Sequence, residues 1–493
     1  MNILKVIPSV CHKGGKKTAL TVLFAFSLSI YGQTTNIPDN SFELALTVLG
    51  IDTNGMNGNI LNSDAESVIN LNVGNWGISD LTGIEAFINL KKLQCYDNSL
   101  TTLDLQSNPS LEELQVNGNN LTSLNLSNNQ SLTVLNLSGN NTLASLDLTA
   151  NTNLIGLGLD DTALNSIDLS NNTLLEELHI NNCQLSNIDV SNNSVLTYLG
   201  CSLNNINTLD VSSNLALEFL GCYSNNLTQL NLSSNTALKQ VFCADNALTT
   251  INLGANNVLK TLACNSNNLS EIILSGTTFL EYLEVSNNNI SMLDISQNIR
   301  LTHIIANGNN ISTLDTTFAE DLMMLNLIDN EITALNLSNN PLLKYVLVSQ
   351  NNLQYIDIRN GANEIVQIFD ASQNLNLTCI FVDNSADTLL STWIVDDVTI
   401  FLDSEAACQT LSIGKNEIAD VTFFPNPAKD HLTVNTNGDK VLFKLYTANG
   451  SLVLEQTLNQ HYNNIALPSL QSGMYLASIT NNLQSLTKKL VIR

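Results

Sequence analysis

Three groups of residues have side chains whose type and spacing suggest chemistry. Asp52, Asn54, Asn57 and Asp64 place oxygen-bearing side chains around Gly58, with the apolar Ile60 between. A hard divalent cation such as Ca2+ is held by oxygen donors arranged around a turn glycine. The spacing departs from the usual loop. One extra residue separates Asn54 from Asn57-Gly58, and Asp64 stands where a longer, bidentate Glu is expected. A solvated Asn/Gly turn is the competing reading. The second group is thiols. Cys95, Cys201, Cys222, Cys243 and Cys264 share one inward, apolar position of a recurring unit, which suits small buried hydrophobes better than convergent metal or redox thiolates. Cys379 and Cys408 flank the end of the recurring units and are expected to form a disulfide there. The third group is aromatic. Tyr198, Phe219, Tyr223 and Phe242 cluster beside Gly200 and Gly221, and Tyr282, His303 and Tyr345 continue the line. Rings beside small residues make docking positions for a protein hot spot or a sugar ring. They also pack on each other across neighbouring strands. No catalytic residue is assigned. The five His are scattered, and no metal-binding His motif or nucleophile elbow occurs.

The elements that position these residues come from one repeated line. From Leu90 to Asn363 a unit of 21 residues recurs thirteen times, with one step of 22, starting at positions such as Leu217, Leu238, Leu259 and Leu280. A fixed period in this range marks a solenoid. Numbered from the leading Leu, positions 1, 4, 6, 11, 14 and 16 are apolar. Positions 4 and 6 alternate with polar neighbours, and so do 14 and 16, which predicts two short strands per coil. Position 9 is Asn in most copies, with Thr162 and Cys183 as exceptions, and a second Asn column follows the second strand. Amides in such columns satisfy backbone groups in the turns. Outward positions 13, 15 and 17 repeat Thr/Ser, Asp/Asn and Ser. Asp147, Asp168, Asp189 and Asp210 would lie about 5 Å apart, so either neighbouring hydroxyl residues (Ser145, Ser166, Ser170, Ser191, Thr208) donate to them or cations collect there. Outward positions 3, 5 and 7 vary from coil to coil, as a recognition face requires.

The formal charge of −26 repels phosphate backbones and anionic lipid, which excludes a nucleic-acid ligand. Residues 1–33 read as a secretory signal, with Lys13, Lys16 and Lys17 before the apolar run Thr18 to Ile30, which is too short to favour a membrane span. No other spanning segment is expected in the mature chain. Residues 34–89 read as an N-terminal cap. It holds a short amphipathic helix within Ile37 to Gly50, with Phe42, Leu46 and Leu49 on one face, and one diverged repeat. Residues 90–363 hold the thirteen repeats, 364–412 a degenerate last repeat and C-terminal cap, and 413–493 a separate tail. The tail's alternating apolar runs, broken by Asn449-Gly450 and Ser472-Gly473, predict a small β-sandwich.

The pattern L-x-x-L-x-(V/C)-x-x-N-x-L-x-x-L-(D/N)-L-S-x-N resembles the bacterial leucine-rich repeat, and Cys183 at the Asn position fits that family's Asn/Cys alternation. The resemblance implies a mainly β leucine-rich-repeat solenoid that serves as a binding scaffold. The tail is similar to the C-terminal sorting domain of the type IX secretion system of Bacteroidetes-type bacteria. Pro425-Asn426-Pro427, Gly450, Leu470, Gly473, Tyr475, Lys488 and Lys489 carry the match. It implies contact with the type IX machinery, export across the outer membrane, removal of the tail, and release or surface attachment. Together these readings predict a non-enzymatic, exported recognition protein for a protein or glycan ligand. The alternative is a structural or adhesive surface rod.

Overall fold

The structure is a computed structural model and describes residues 32–406, 408, 421–436, 440–447, 449–467, 470–480 and 485–493. The signal segment lies outside the described residues, apart from its last two positions. The chain divides into two compact units, Met1–Asn214 and Leu215–Arg493.

In the first unit, Thr34–Asn36 pairs antiparallel with Asn59–Leu61, and a helix spans Asn40–Val48 between them. The helix begins where it does because the Asp39 carboxylate accepts from the N–H groups of Ser41 and Phe42 at 2.9 and 3.0 Å. The other Asp39 oxygen accepts from the Ser79 N–H and hydroxyl, both at 2.8 Å, which ties the helix to the diverged repeat. Phe42 and Leu46 are buried as expected, but Leu49 is 46% exposed and Ala45 completes the inner face. Leu49 is the helix's closing residue, and the chain turns away at Gly50 with φ of 71°. Parallel strands then step from coil to coil: Asn70–Asn72, Lys92–Gln94, Glu113–Gln115, Val134–Asn136, Gly156–Gly158, Glu177–His179 and Tyr198–Gly200.

The second unit repeats the arrangement. Strands Phe219–Gly221, Gln240–Phe242, Thr261–Ala263, Tyr282–Glu284, His303–Ile305, Met324–Asn326, Tyr345–Leu347 and Ile368–Asp370 pair in parallel. Equivalent repeat positions face each other across each pairing. Leu262, Leu283, Ile304 and Leu325 therefore stack as a fully buried column.

The amide column closes each turn. The Asn119 side chain donates to the carbonyls of Val116 in its own coil and Cys95 in the preceding one, both at 3.0 Å. Its oxygen accepts the Leu100 N–H at 2.9 Å. One side chain thus satisfies three backbone groups that no strand reaches. Thr162 and Cys183 reach the Leu159 carbonyl instead, at 2.9 and 3.3 Å. The second column works in the same way: Asn172 donates to Leu148 and Asn151 carbonyls at 3.2 and 2.8 Å. Position 8 takes a left-handed backbone in every coil. Gly118, Gly139 and Gly308 adopt it freely, and Asp97, Asp161, Asn182 and even Leu203 (φ 58°) are held there as well.

The expectation of two strands in every coil needs correction. Among the described residues of the repeats, the second flank is strand-paired only between Gln229–Asn231 and Thr250–Asn252, and between Ala334–Asn336 and Tyr355–Asp357, with Cys379–Phe381 and Ile400–Leu402 following in the cap. Charge at position 15 accounts for part of this, since the segments of Asn252 and Ile273 form no ladder with each other although neither is charged. The pairs that form carry Asn231 beside Asn252, or Asn336 beside Asp357, whose charge Arg359 compensates. Coils with Asp facing Asp in successive turns do not close up into a ladder.

The C-terminal cap is closed by the expected Cys379–Cys408 disulfide, with Cα atoms 6.1 Å apart. Trp393 stacks on Phe369 at 4.1 Å and meets Phe401 edge-on at 5.8 Å, covering the last coil with apolar surface. The tail is the expected two-sheet β-sandwich. One antiparallel sheet holds Thr422–Phe424, His431–Asn435 and Tyr462–Ala466. The other holds Leu452–Leu458, Val441–Thr447, Gly473–Thr480 and Ser485–Ile492. Leu432, Val434, Phe443, Leu445, Ile465, Ile479 and Leu490 fill the space between them. Among the described residues no helix is long and apolar enough to cross a membrane.

Candidate binding site

Alternation along the first strand of each coil sends position 4 inward and positions 3 and 5 outward. Parallel register then builds columns across coils. One column reads Gln240, Thr261, Tyr282; the next reads Phe242, Ala263, Glu284. The middle coil contributes the small Thr261 and Ala263, and large side chains rise on both sides. The result is a recess of about 490 Å³, floored by Thr261 and Ala263, with Tyr223 and Phe242 on one wall and Tyr282 and Glu284 on the other. Gln240 and Asn265 add amides at its rim.

The aromatic residues singled out from sequence are distributed as follows. Tyr223, Phe242 and Tyr282 line the recess, and Tyr223 is 39% exposed. Phe219 backs Phe242, with ring centres 5.6 Å apart. His303 lies 5.8 Å from Tyr282, and its Nδ1 is paired with the Thr302 hydroxyl at 2.8 Å. The Tyr282 hydroxyl donates to Glu284 at 3.0 Å, and burial together with that carboxylate pushes its pKa up to about 12, so it stays a neutral donor. Tyr345 is further along the face and donates to Gln367 at 2.7 Å. Tyr198, in the first unit, stacks on His179 at 4.4 Å. Gln240, Thr261, Ala263 and Glu284 were missed from sequence. The signal was present in the columns: a coil with two small outward residues between coils with large ones.

The other candidate groups have the following partners. In the loop at Asp52, three N–H groups, those of Asn57, Gly58 and Asn59, converge on the buried Glu43 carboxylate. Asp52 accepts the Asn54 N–H at 3.2 Å, and its burial, with the Glu43 charge near, raises its pKa. Asp64 accepts from the N–H and hydroxyl of Thr53 at 3.0 and 2.6 Å, while the Asn57 oxygen accepts the Asn59 N–H at 3.1 Å. The loop is thus organised around a carboxylate by its own donors. No group of three or more His, Cys, Asp or Glu suited to a metal occurs among the described residues. The Asp column is hydrogen-bonded. Asp147, Asp168, Asp189 and Asp210 each accept the N–H of the residue two further on, namely Thr149, Ser170, Ser191 and Ser212. Those bonds, from backbone and hydroxyl, hold all four carboxyls below their usual range. Ser170 and Ser191 are thus donors as expected, while Thr149 and Ser212 replace Ser145, Ser166 and Thr208. The Cys column is buried throughout. Burial pushes Cys95 and Cys201 up to about 12, and hydrogen bonding to Cys264 with burial raises Cys243. Such thiols are inert at neutral pH.

In the tail, Asn426 donates to the Lys489 carbonyl at 3.0 Å and accepts the Val491 N–H at 2.9 Å, so the Pro425-Asn426-Pro427 segment fastens the last strand. Lys488 donates to the Val421 carbonyl at 2.9 Å and lies over the Phe423 ring. The Tyr475 hydroxyl donates to Gln471, Gly450 supplies a left-handed turn, and Gly473 opens the strand that Tyr475 continues.

Residues 422–493 match the family of secretion-system C-terminal sorting domains. The chain is a leucine-rich-repeat protein with a type IX sorting tail. The solenoid is similar to the functional domain of InlJ from Listeria monocytogenes, described as including a cysteine ladder. Identity is 26%, with TM-score 0.65, covering 94% of this chain and 99% of that one. It shares its fold with internalin InlF of Listeria monocytogenes (22% identity, TM-score 0.57, 71% and 96% covered). An LRR protein of Leptospira interrogans also shares it (21%, TM-score 0.54, 68% and 97% covered). Ulvan lyase NLR42 of Nonlabens ulvanivorans is 37% identical over 79 residues, 15% of this chain and 14% of the lyase, so the chain spans a small part of that protein. The sorting tail makes this leucine-rich-repeat protein one exported across the outer membrane by the secretion machinery.

Proposed function

We propose that this leucine-rich-repeat protein is displayed at the cell surface or released, after loss of its signal peptide, and binds a protein or glycan ligand through the outward face of the first sheet. The carrying observation is the recess between Phe242 and Tyr282, where three rings surround a small-residue floor. Rings backed by other rings hold their position before a ligand arrives, which lowers the ordering cost of binding. Lys239–Glu218 and Lys260–Glu281, at 2.6 and 3.1 Å, edge this face as exposed ion pairs that set orientation more than affinity. The test is a protein and glycan array probed with the mature chain, followed by the Phe242→Ala and Tyr282→Ala variants. We expect specific partners whose affinity falls about tenfold or more in each variant. A chain without specific partners, or partners indifferent to both changes, would leave the surface-rod alternative in its place.

A further inference from the structure

The outward residues of the second flank are monotonous through most coils, and the monotony ends near the C-terminal cap. The coil starting at Leu343 carries Tyr355, Asp357 and Arg359 where other coils carry Thr/Ser, Asp/Asn and Ser. The next strand sets Phe381 directly beside Asp357. Tyr355, Asp357 and Phe381, with Asn336, Gln354, Thr378 and Glu405, line a second cavity of about 490 Å³, and Arg359 is held beside it by Asp357 and Glu405. A repeating scaffold needs none of these substitutions.

Tyr355 is 45% exposed and its ring leans on Phe381, centres 6.2 Å apart. Arg359 Nε donates to Asp357 at 2.9 Å, a second guanidinium nitrogen bonds both Asp357 and, at 3.2 Å, Glu405, and the group also lies over Phe381 at 5.3 Å. Bonding to Arg359 holds the Asp357 carboxyl below its usual range. Two carboxylates and one guanidinium leave a small net negative charge. Among the described residues, the Gln354 amide and the Tyr355 and Thr378 hydroxyls make no hydrogen bond. An exposed ring face therefore lies next to unspent donors and acceptors. The Cys379–Cys408 disulfide ties the segment bearing Glu405 to the strand beside Tyr355.

We propose that this cavity is a second binding site, separate from the first-sheet face, and that it takes a neutral sugar unit of a glycan. A pyranose presents C–H groups on its faces and hydroxyls at its edge. The faces suit the Tyr355 ring, and hydroxyls, which both donate and accept, suit the Gln354 amide, the Thr378 hydroxyl and the Asp357–Arg359–Glu405 group. The charge of −26 and the excess carboxylate disfavour uronic or sulfated sugars. A cationic peptide side chain is disfavoured because Arg359 already engages both carboxylates and the Phe381 face.

The test uses the mature chain with a panel of gluco-, manno-, galacto- and xylo-oligosaccharides, oligogalacturonate and trilysine, read by saturation-transfer NMR and calorimetry. We expect binding of at least one neutral oligosaccharide, weakened about tenfold or more by Tyr355→Ala. Tyr355→Phe keeps the stacking ring and most of the affinity, and Phe242→Ala leaves this binding unchanged. Thr378→Val and Glu405→Gln give a second, milder pair of variants, each expected to weaken binding without moving the melting temperature. No binding across the neutral panel, preference for oligogalacturonate or trilysine, or affinity untouched by Tyr355→Ala overturns the proposal. Loss with Phe242→Ala instead assigns the sugar to the first-sheet face.

Discussion

The two flanks of a coil are built from the same alternation of Leu with polar residues, yet they differ. On the first flank each coil adds a hydrogen-bonded strand, and its outward residues vary from Lys92 and Glu113 to Phe242 and Tyr282. On the second flank the outward residues repeat, and the two ladders that form within the repeats have amides, or an Asp with a compensating Arg359, at position 15. Apolar periodicity brings two segments to the core, while the charge beside it bears on whether they join. Like charges at each turn oppose pairing. Opposite charges, as in Lys92–Glu113 at 2.8 Å, or neutral amides permit it.

Four experiments break or sharpen this contrast. The largest effect is expected where the turn after the first flank is closed. Asn119→Ala orphans the Leu100 N–H and takes one of two amide donors from each of the Val116 and Cys95 carbonyls, which keep Asn140 and Asn98, and should cost about 3 kcal/mol in denaturant unfolding. A loss below about 1 kcal/mol would mean water replaces the amide. Next, Cys379→Ser with Cys408→Ser releases the cap that protects the second flank's last strands. About 2–4 kcal/mol should be lost, with early hydrogen exchange at Ile400–Leu402. Uniform exchange along the second unit would deny the cap this local role.

The third experiment addresses charge. The double change Asp168→Asn, Asp189→Asn keeps an oxygen to cap Ser170 and Ser191, as Asn231 does for Ser233 at 3.2 Å, but removes the repulsion. Slower amide exchange on this flank and a higher melting temperature at low salt are expected, the gain shrinking as salt rises. The carboxyls here sit below their usual value of 3.8, so they favour the folded state above that value and lose the contribution as pH falls beneath it. The wild type should therefore lose stability between about pH 4 and 2 more steeply than the double variant. Parallel acid curves would mean that the hydrogen bonds to these carboxylates do not favour the folded state, and an unchanged melting temperature at low salt would contradict the repulsion. The smallest effect concerns position 8. Leu203→Gly relieves a left-handed, 45% exposed leucine and should add about 0.5 kcal/mol, strain relief being partly offset by chain entropy.

Much of this architecture was legible because the repeat carries it redundantly. The Leu stack, inward Cys column, two Asn columns and cap disulfide each follow from a residue's place in the period. Features that depend on several coils at once were harder to read. The recess exists because Thr261 and Ala263 are small relative to Phe242 and Tyr282, which a single line does not reveal. In the loop near Asp52, the carboxylate that gathers the backbone N–H groups, Glu43, lies on the preceding helix, so the loop's own residues do not announce it. The cavity at Tyr355 depends on Phe381 and Glu405, which follow the last regular repeat, where periodicity no longer guides the eye.

The joint made by Asn426 has a consequence for how the tail comes apart. Its partners, Lys489 and Val491, lie more than sixty positions along the chain from Asn426 itself. The segment that opens the sandwich is thereby clasped to the strand that closes it. Loss of either end unmakes the clasp, so the two ends of the tail should loosen together rather than one after the other.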